Sequence, residues 1–400
     1  MSDPFSFLAG KELAIAVWIA DSRQRFGGQQ VAVCLEQWRG ALIYVLMQYE
    51  FLVLFPINPK QFSDYRTALY PSGAKSDPND AELLARFLRE QRDKLRAWHP
   101  EDAITRGLRL MSEQRRKWVQ DRVAQTNALR QRLKDSDRLA LDFCDGDLWS
   151  ESFLSQLGRF PSQRKLQRAS PKQLEKWLPK KHRKAGDPSA EELLRERIAT
   201  VRKVKPLTSD RAILEHARLA VVNLVVMIRA LNRAITETEA KIASLFAEHP
   251  DAPIFSSFPG AGEALAPRLA AAYGTDRDKY QGAEDMQRLS GIAPVTRASG
   301  KMSSVQMRWA CPKFLRQTFH EFAQASVRYS RWTKAYVAMR KAAGHHHHEI
   351  IRSLAFKWQR ILTRCWKNRQ PYDELRYIEC LRQTSFNLIA YLPPQPDPTS

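Results

Sequence analysis

Residues 31–55 read VAVCL-EQWRGALIYVLMQYE-FLVLF, and this stretch decides the fold of the N-terminal region. Val31–Leu35 is a short β-branched run, Trp38–Gln48 reads as an apolar helix, and Phe51–Phe55 is a second buried run. Strand, helix and strand at this spacing form a βαβ unit, and a crossover of this length pairs its strands in parallel. Ahead of it, Lys11–Arg25 has a helical pattern that ends at Gly27-Gly28, a C-terminal stop signal. After it, Pro71–Pro78 reads as a loop and Ala81–Leu95 as a helix with Leu83, Leu84, Phe87 and Leu88 on its apolar side. An α/β domain over residues 1–100 is the expectation.

The next region, residues 101–250, is helical and basic. Arg106–Lys134 carries nine Lys/Arg against Glu113 and Asp121, a net charge of +7 that a helix would spread along a rod. Further on, Leu214, Ala217, Val221, Leu224, Ile228, Leu231, Ile235, Thr238, Ile242 and Leu245 alternate in steps of three and four. That is the a/d seam of a coiled coil. Between them, residues 159–205 hold fifteen Lys/Arg against five acids, broken by Pro161, Pro171, Pro179 and Pro188. A solvated face is the plain reading of such a run, but +10 in one segment fits a nucleic-acid footprint better. Two long antiparallel helices with an irregular basic insertion are expected. Residues 251–380 read as a mostly α-helical C-terminal domain with loops, and residues 381–400 as a tail, unstructured from Pro393 onward.

The 400-residue chain has a formal net charge of +21, which points to polyanionic partners, nucleic acid before an anionic membrane surface. The start, MSDPFSFL, lacks a basic segment followed by an apolar one, so no secretory signal is read. The two most apolar stretches, Ala41–Ile57 and Leu219–Ile228, are interrupted by polar residues and are not expected to span a bilayer. Five cysteines, odd in number and without a Cys-x-x-Cys pair, argue against a disulfide framework or a thiolate zinc site and fit a reducing cytoplasm.

Few residues are placed for chemistry. Glu36 directly follows the first strand, at the carboxyl end where parallel sheets carry their sites. Asp77-Pro78-Asn79-Asp80 has the form of a helix start, and capping alone accounts for both aspartates. The same spacing also sets both carboxylates on one side of the helix mouth, where with Glu36 they would suit Mg²⁺ or Mn²⁺. Ser299, in Arg297-Ala-Ser-Gly-Lys301, is read in a polar loop, either as a turn residue or as a nucleophile. Arg297, Lys301 and Arg308 could hold a phosphate beside it. Phe258-Pro-Gly-Ala-Gly-Glu263 reads as a tight turn opening a small-residue helix. The backbone N–H groups at Gly260 and Gly262 could cradle a phosphate, or the segment could be a plain helix–helix turn. His345–His348 has no carboxylate or cysteine at persuasive ligand spacing.

The segments VCLEQWRGALIYVL, FPINPKQFSDYR, GAKSDPNDAELLARFL, SFPGAGEALAPRLAAAYG, LSGIAPVTRASGK and IIRSLAFKWQRILTRCW occur in this order. Together they resemble the DEDD-type transposases of insertion sequence family 110 over about residues 10–380. The resemblance implies a RuvC-like, RNase H-type domain, a coiled-coil insertion and a serine-bearing transposase domain, guided to DNA by the element's own bridge RNA. It implies that Glu36, Asp77 and Asp80 carry three of the four metal-binding acids and that Ser299 is the nucleophile. The family's first aspartate, on a strand ahead of the Lys11–Arg25 helix, has no counterpart here, so the RuvC-like domain is expected to be incomplete. A homo-oligomer, dimer or tetramer, with DNA and guide RNA as partners follows. The rival expectations are a metal-dependent junction nuclease without serine chemistry and an inactive nucleic-acid-binding remnant.

Overall fold

The computed structural model describes residues 4–36, 40–70, 77–142, 144, 146–175, 188–205, 207–300, 302–308, 310–384 and 386–394. The chain divides into two compact units, Met1–Glu101 and Asp102–Ser400.

The first unit is built on two parallel strands, β1 (Val31–Leu35) and β2 (Leu52–Pro56), in register from Val31 opposite Leu52 to Leu35 opposite Pro56. Helix α1 (Pro4–Arg25) precedes them and α2 (Ala41–Leu46) connects them. Helices α3 (Pro59–Leu69) and α4 (Asp77–Gln91) follow. Strand alternation sorts the core into two clusters. Ile19 of α1 and Ile43 and Leu46 of α2 pack with Val31, Val33, Leu35, Leu52 and Leu54, while Phe62, Leu83 and Phe87 of α3 and α4 pack with Cys34 and Ile57. The α1 stop falls where the sequence puts it, with Gly27 and Gly28 both at positive φ. The crossover helix is shorter than Trp38–Gln48, and residues 37–39 lie outside the described residues. Trp98 adds a single antiparallel bridge to Leu54 of β2, its N–H donating to the Leu54 carbonyl at 2.7 Å.

The second unit is organised around α5 (Ala103–Ser136) and α11 (Arg211–Glu248), which pack antiparallel. Three pairings fix the direction. Gly107 lies against Leu245, Arg115 Nε donates to Glu239 at 2.7 Å, and Arg122 donates to Asn232 at 3.1 Å. Every seam position from Leu214 to Leu245 is buried or half-buried, so the three-and-four alternation marks the face turned to the neighbouring helices. Between the long helices run α6 (Arg138–Asp142), α7 (Glu151–Arg159), α8 (Gln163–Gln167), α9 (Pro171–Glu175) and α10 (Pro188–Lys203). In the described part of this insertion, Leu139, Phe160, Leu166, Ala169, Leu174 and Val201 form a core of their own, more regular than the prolines imply. The side-chain amides of Gln163 and Gln167 donate to the carbonyls of Val204 and Val201, satisfying groups that the end of α10 would leave open. Among the described residues, one helix, α11, is long and apolar enough to cross a membrane; its seam side is packed against α5.

The largest core gathers α12 (Ala252–Ser256), α13 (Gly262–Tyr273), α14 (Ala283–Leu289), α15 (Lys313–Tyr329), α16 (Arg331–Ala342), α17 (His347–Lys367), α18 (Glu374–Thr384) and α19 (Phe386–Ile389). Trp332, Trp358, Trp366 and Tyr273 are fully buried in it, and so is Leu108 of α5. Two expectations change here. The segment around Ser299 is a two-stranded antiparallel sheet rather than a loop. Leu381 and Leu388 are buried in the same core, so packed structure continues past residue 380.

Candidate functional site

Glu36 is exposed immediately after β1, where the Ile57 N–H still donates to the Leu35 carbonyl at 2.8 Å. Helix α4 packs against β1 and opens at Asp77 itself, so the strand end and the helix mouth belong to the same small unit. The Asp77 side chain lies outside the described residues. Asp80 is largely buried and does not stand open to solvent: Arg66 of α3 donates through Nη1 to its two oxygens at 3.1 and 3.3 Å. Nearby, the Tyr65 hydroxyl donates to Glu90 at 2.7 Å and its ring meets Phe87 edge-on, fastening α3 to α4 a second time. Among the described residues no three His, Cys, Asp or Glu side chains converge as a metal-holding group. Glu36 and Asp80 are the two candidate carboxylates whose side chains are described, and both offer the hard oxygen donors that Mg²⁺ takes.

Ser299 ends strand β3 (Val295–Ser299), which pairs with β4 (Met302–Gln306). Ser299 opposite Met302 is the closing pair, and Gly300, next in the chain, stands at φ +54°, the left-handed region that tight hairpins use. Ser299 is exposed, and among the described residues no side chain hydrogen-bonds its hydroxyl. Lys301 and the Arg297 side chain lie outside the described residues. The hairpin has a firm base. Gly291, at φ +72°, packs so tightly on Cys311 that a Cβ there would clash with its Sγ. The Arg308 carbonyl, just beyond β4, accepts from Arg316 of α15 at 3.2 Å. Arg308 itself is half-buried, and among the described residues its Nε has no hydrogen-bond partner, a desolvated donor beside the hairpin.

The glycine turn is built for close packing. Gly260 sits at φ +80°, and a Cβ on it would lie 2.8 to 2.9 Å from the main chain of Ala325 and Ser326 in α15. Gly262, at φ +50°, faces open space and starts α13, whose N-cap, Ala261, supplies no side-chain acceptor. Packing thus explains Gly260 fully, whereas the first N–H groups of α13 lack a side-chain cap. In the histidine run, Glu349 does supply the carboxylate that the sequence reading missed: His345 Nδ1 lies 2.9 Å from its Oε1. Sequence reasoning also missed Arg66, because nothing local ties it to Asp80, and Met302, because the β3–β4 register is invisible before the hairpin is recognised.

Comparison with known proteins places both halves of this arrangement. Residues 10–136 match the profile of a transposase family, the DEDD-type domain of IS110 elements, and residues 252–338 match that of the transposase IS116/IS110/IS902 family. A Streptomyces coelicolor protein named for the IS117 mini-circle transposase is 27% identical over 358 residues, covering 89% of this chain and 85% of that one. The 42 kDa protein of insertion element IS900 from Mycobacterium paratuberculosis is 27% identical over 39% of each chain. With both transposase profiles present in chain order, together spanning more than half of the sequence, and a relative aligned along most of its length, this chain belongs to the IS110 family of insertion-sequence transposases.

Proposed function

We propose that this transposase cuts and rejoins DNA through a phosphoserine linkage formed by Ser299, with Glu36, Asp77 and Asp80 as its divalent-metal carboxylates and an RNA as its guide. The observation that carries the reading is Ser299 itself, exposed at the closing pair of a firmly based hairpin within the region of the second transposase match. In the attack, Ser299 Oγ loses its proton and bonds to phosphorus, the bond from phosphorus to one deoxyribose oxygen breaks, and that oxygen leaves as a hydroxyl. The phosphodiester energy stays in the serine linkage, so a hydroxyl from a second strand restores a DNA bond by the reverse step. Arg297, Lys301 and Arg308 are the cations of this segment, and the Nε of Arg308, without a hydrogen-bond partner among the described residues, suits a phosphate oxygen.

The all-carboxylate donor set fits Mg²⁺ or Mn²⁺, which when bound would polarise the phosphate and neutralise developing charge. Arg66 neutralises Asp80 in the meantime and keeps α3 and α4 together. Support for a nucleic-acid guide lies in the +21 net charge and its concentration in α5 and the insertion. Support for a dimer or tetramer lies in the apolar side chains Leu219, Val226 and Met227, exposed on α11.

Strand exchange by Ser299→Ala tests the reading. It should be abolished, while binding to DNA and RNA stays nearly unchanged. Recombination retained in that variant would move the chemistry to water and the acids, the junction-nuclease alternative; no activity in the parent protein under any metal would favour the binding-only alternative.

A further inference from the structure

Helices α15 and α17 lie side by side and enclose an open-mouthed cavity of about 360 Å³. His320, Glu321, Gln324 and Ala325 line it from α15, and His347 and His348 from α17. Its charges are lopsided. Glu321, the carboxylate on its wall, is already engaged by Arg268 of α13 and by the Gln317 amide. Facing His320 are Arg316 on its own helix and Arg352 and His348 on α17. Burial first, then these cations, hold its ring below the usual imidazole range. The histidines do not form a chelate, since no three metal-ligating side chains converge among the described residues. What remains is a group of N–H donors and latent positive charge around a space open on one side. That suits a small anion attached to something larger, which enters without being enclosed. Ala325 also forms the main-chain surface on which Gly260 packs, so the cavity adjoins the turn that opens α13.

We propose that this histidine-lined cavity binds a phosphodiester of a nucleic-acid backbone and grips it more tightly when His320, at its wall, takes up a proton. The proposal rests on the nucleic-acid partnership argued above and adds a second contact, distinct from the Ser299 hairpin. A phosphate favours the protonated His320 ring, and by linkage the protonated ring favours the phosphate, so affinity rises as pH falls, while His347 and His348 add N–H donors at the mouth. Neither the neutralised Glu321 nor the uncharged Gln324 opposes this.

The test is binding of the full chain to a labelled DNA duplex and, separately, to a labelled structured RNA, by fluorescence anisotropy at about pH 6 and about pH 8 at constant ionic strength. The parent should bind several-fold more tightly at the lower pH. The combined variant H320A/H347A/H348A should lose that gain, about fivefold, and change little at the higher pH. The exposed Gln324→Glu, which leaves every histidine in place, should weaken binding at both values, and melting curves matching the parent's show that both variants fold. The probe whose affinity falls, DNA or RNA, identifies the strand that is held. Variants with the parent's affinities and pH profile would overturn the cavity site alone. Failure of the parent to bind either probe would overturn the nucleic-acid partnership with it. Stoichiometric Zn²⁺ or Ni²⁺ binding that needs the three histidines and blocks nucleic acid would replace the proposal with a metal site.

Discussion

Both carboxylate oxygens of Asp80 are held by a single nitrogen of Arg66, at 3.1 and 3.3 Å, so a candidate metal ligand of α4 is also the tie between α4 and α3. The pair is mostly shielded from solvent and satisfies a carboxylate that would otherwise sit desolvated and unpaired.

Replacing Arg66 by Gln separates these two roles. The variant should lose roughly 1 kcal/mol of stability in the N-terminal unit, read by denaturant unfolding, and should bind Mn²⁺ more tightly, read by electron paramagnetic resonance titration. A variant equal to the parent in Mn²⁺ affinity would show that Asp80 serves only the helix–helix tie.

Gly260 and Gly262 share the left-handed region but differ in their surroundings, so the same substitution should act differently. Gly260→Ala drives a methyl into α15 main chain and should cost upward of about 3 kcal/mol, adding overpacking to backbone strain. Gly262→Ala meets nothing and should cost only about 1 kcal/mol, the conformational part. Thermal unfolding of the two variants side by side decides the point.

Asp137 sits between α5 and α6, buried, with one oxygen accepting the Ala140 N–H at 3.3 Å and the other unpartnered among the described residues. Burial pushes its carboxyl up to about 6, against the Ala140 hydrogen bond. Because the folded-state value lies above the unfolded one, its contribution is fully present below about pH 4 and is lost as pH rises through about 6. The loss is on the order of 3 kcal/mol at neutral pH. The melting temperature of Asp137→Asn relative to the parent should therefore rise between about pH 5 and pH 7.5; a constant difference would contradict it.

The basic insertion and α5 should govern the salt dependence of RNA binding. Changing Lys172 and Lys203, both exposed, to Gln should lower the slope of log affinity against log salt by about one for each phosphate that is no longer neutralised. An unchanged slope would exclude these two lysines from the interface.

What the sequence made legible was whatever a short repeat encodes. Val31–Leu35 and Phe51–Phe55 announced a parallel pair, displaced by one residue at β2, and the Leu214–Leu245 alternation picked out the buried side of α11. The β3–β4 hairpin escaped notice because VTRAS and MSSVQ carry too few apolar residues to alternate, and the sequence between them lacks the usual Asn-Gly signature. Partnerships such as Arg66 with Asp80, or His320 with His348, depend on how two helices are rotated against each other, which no local pattern records.

The burial of Leu108 with residues from 254 to 388 has a consequence for synthesis. The first turns of α5 leave the ribosome long before the rest of that core exists, and α11, their other neighbour, follows only after the whole insertion. The second unit therefore cannot close during elongation and must complete its packing after most of the chain has been made. A fragment ending near residue 250 would carry α5 and α11 with Leu108 and Ile242 bared, and would be expected to associate through them; a separately expressed C-terminal piece would have a hole where Leu108 belongs.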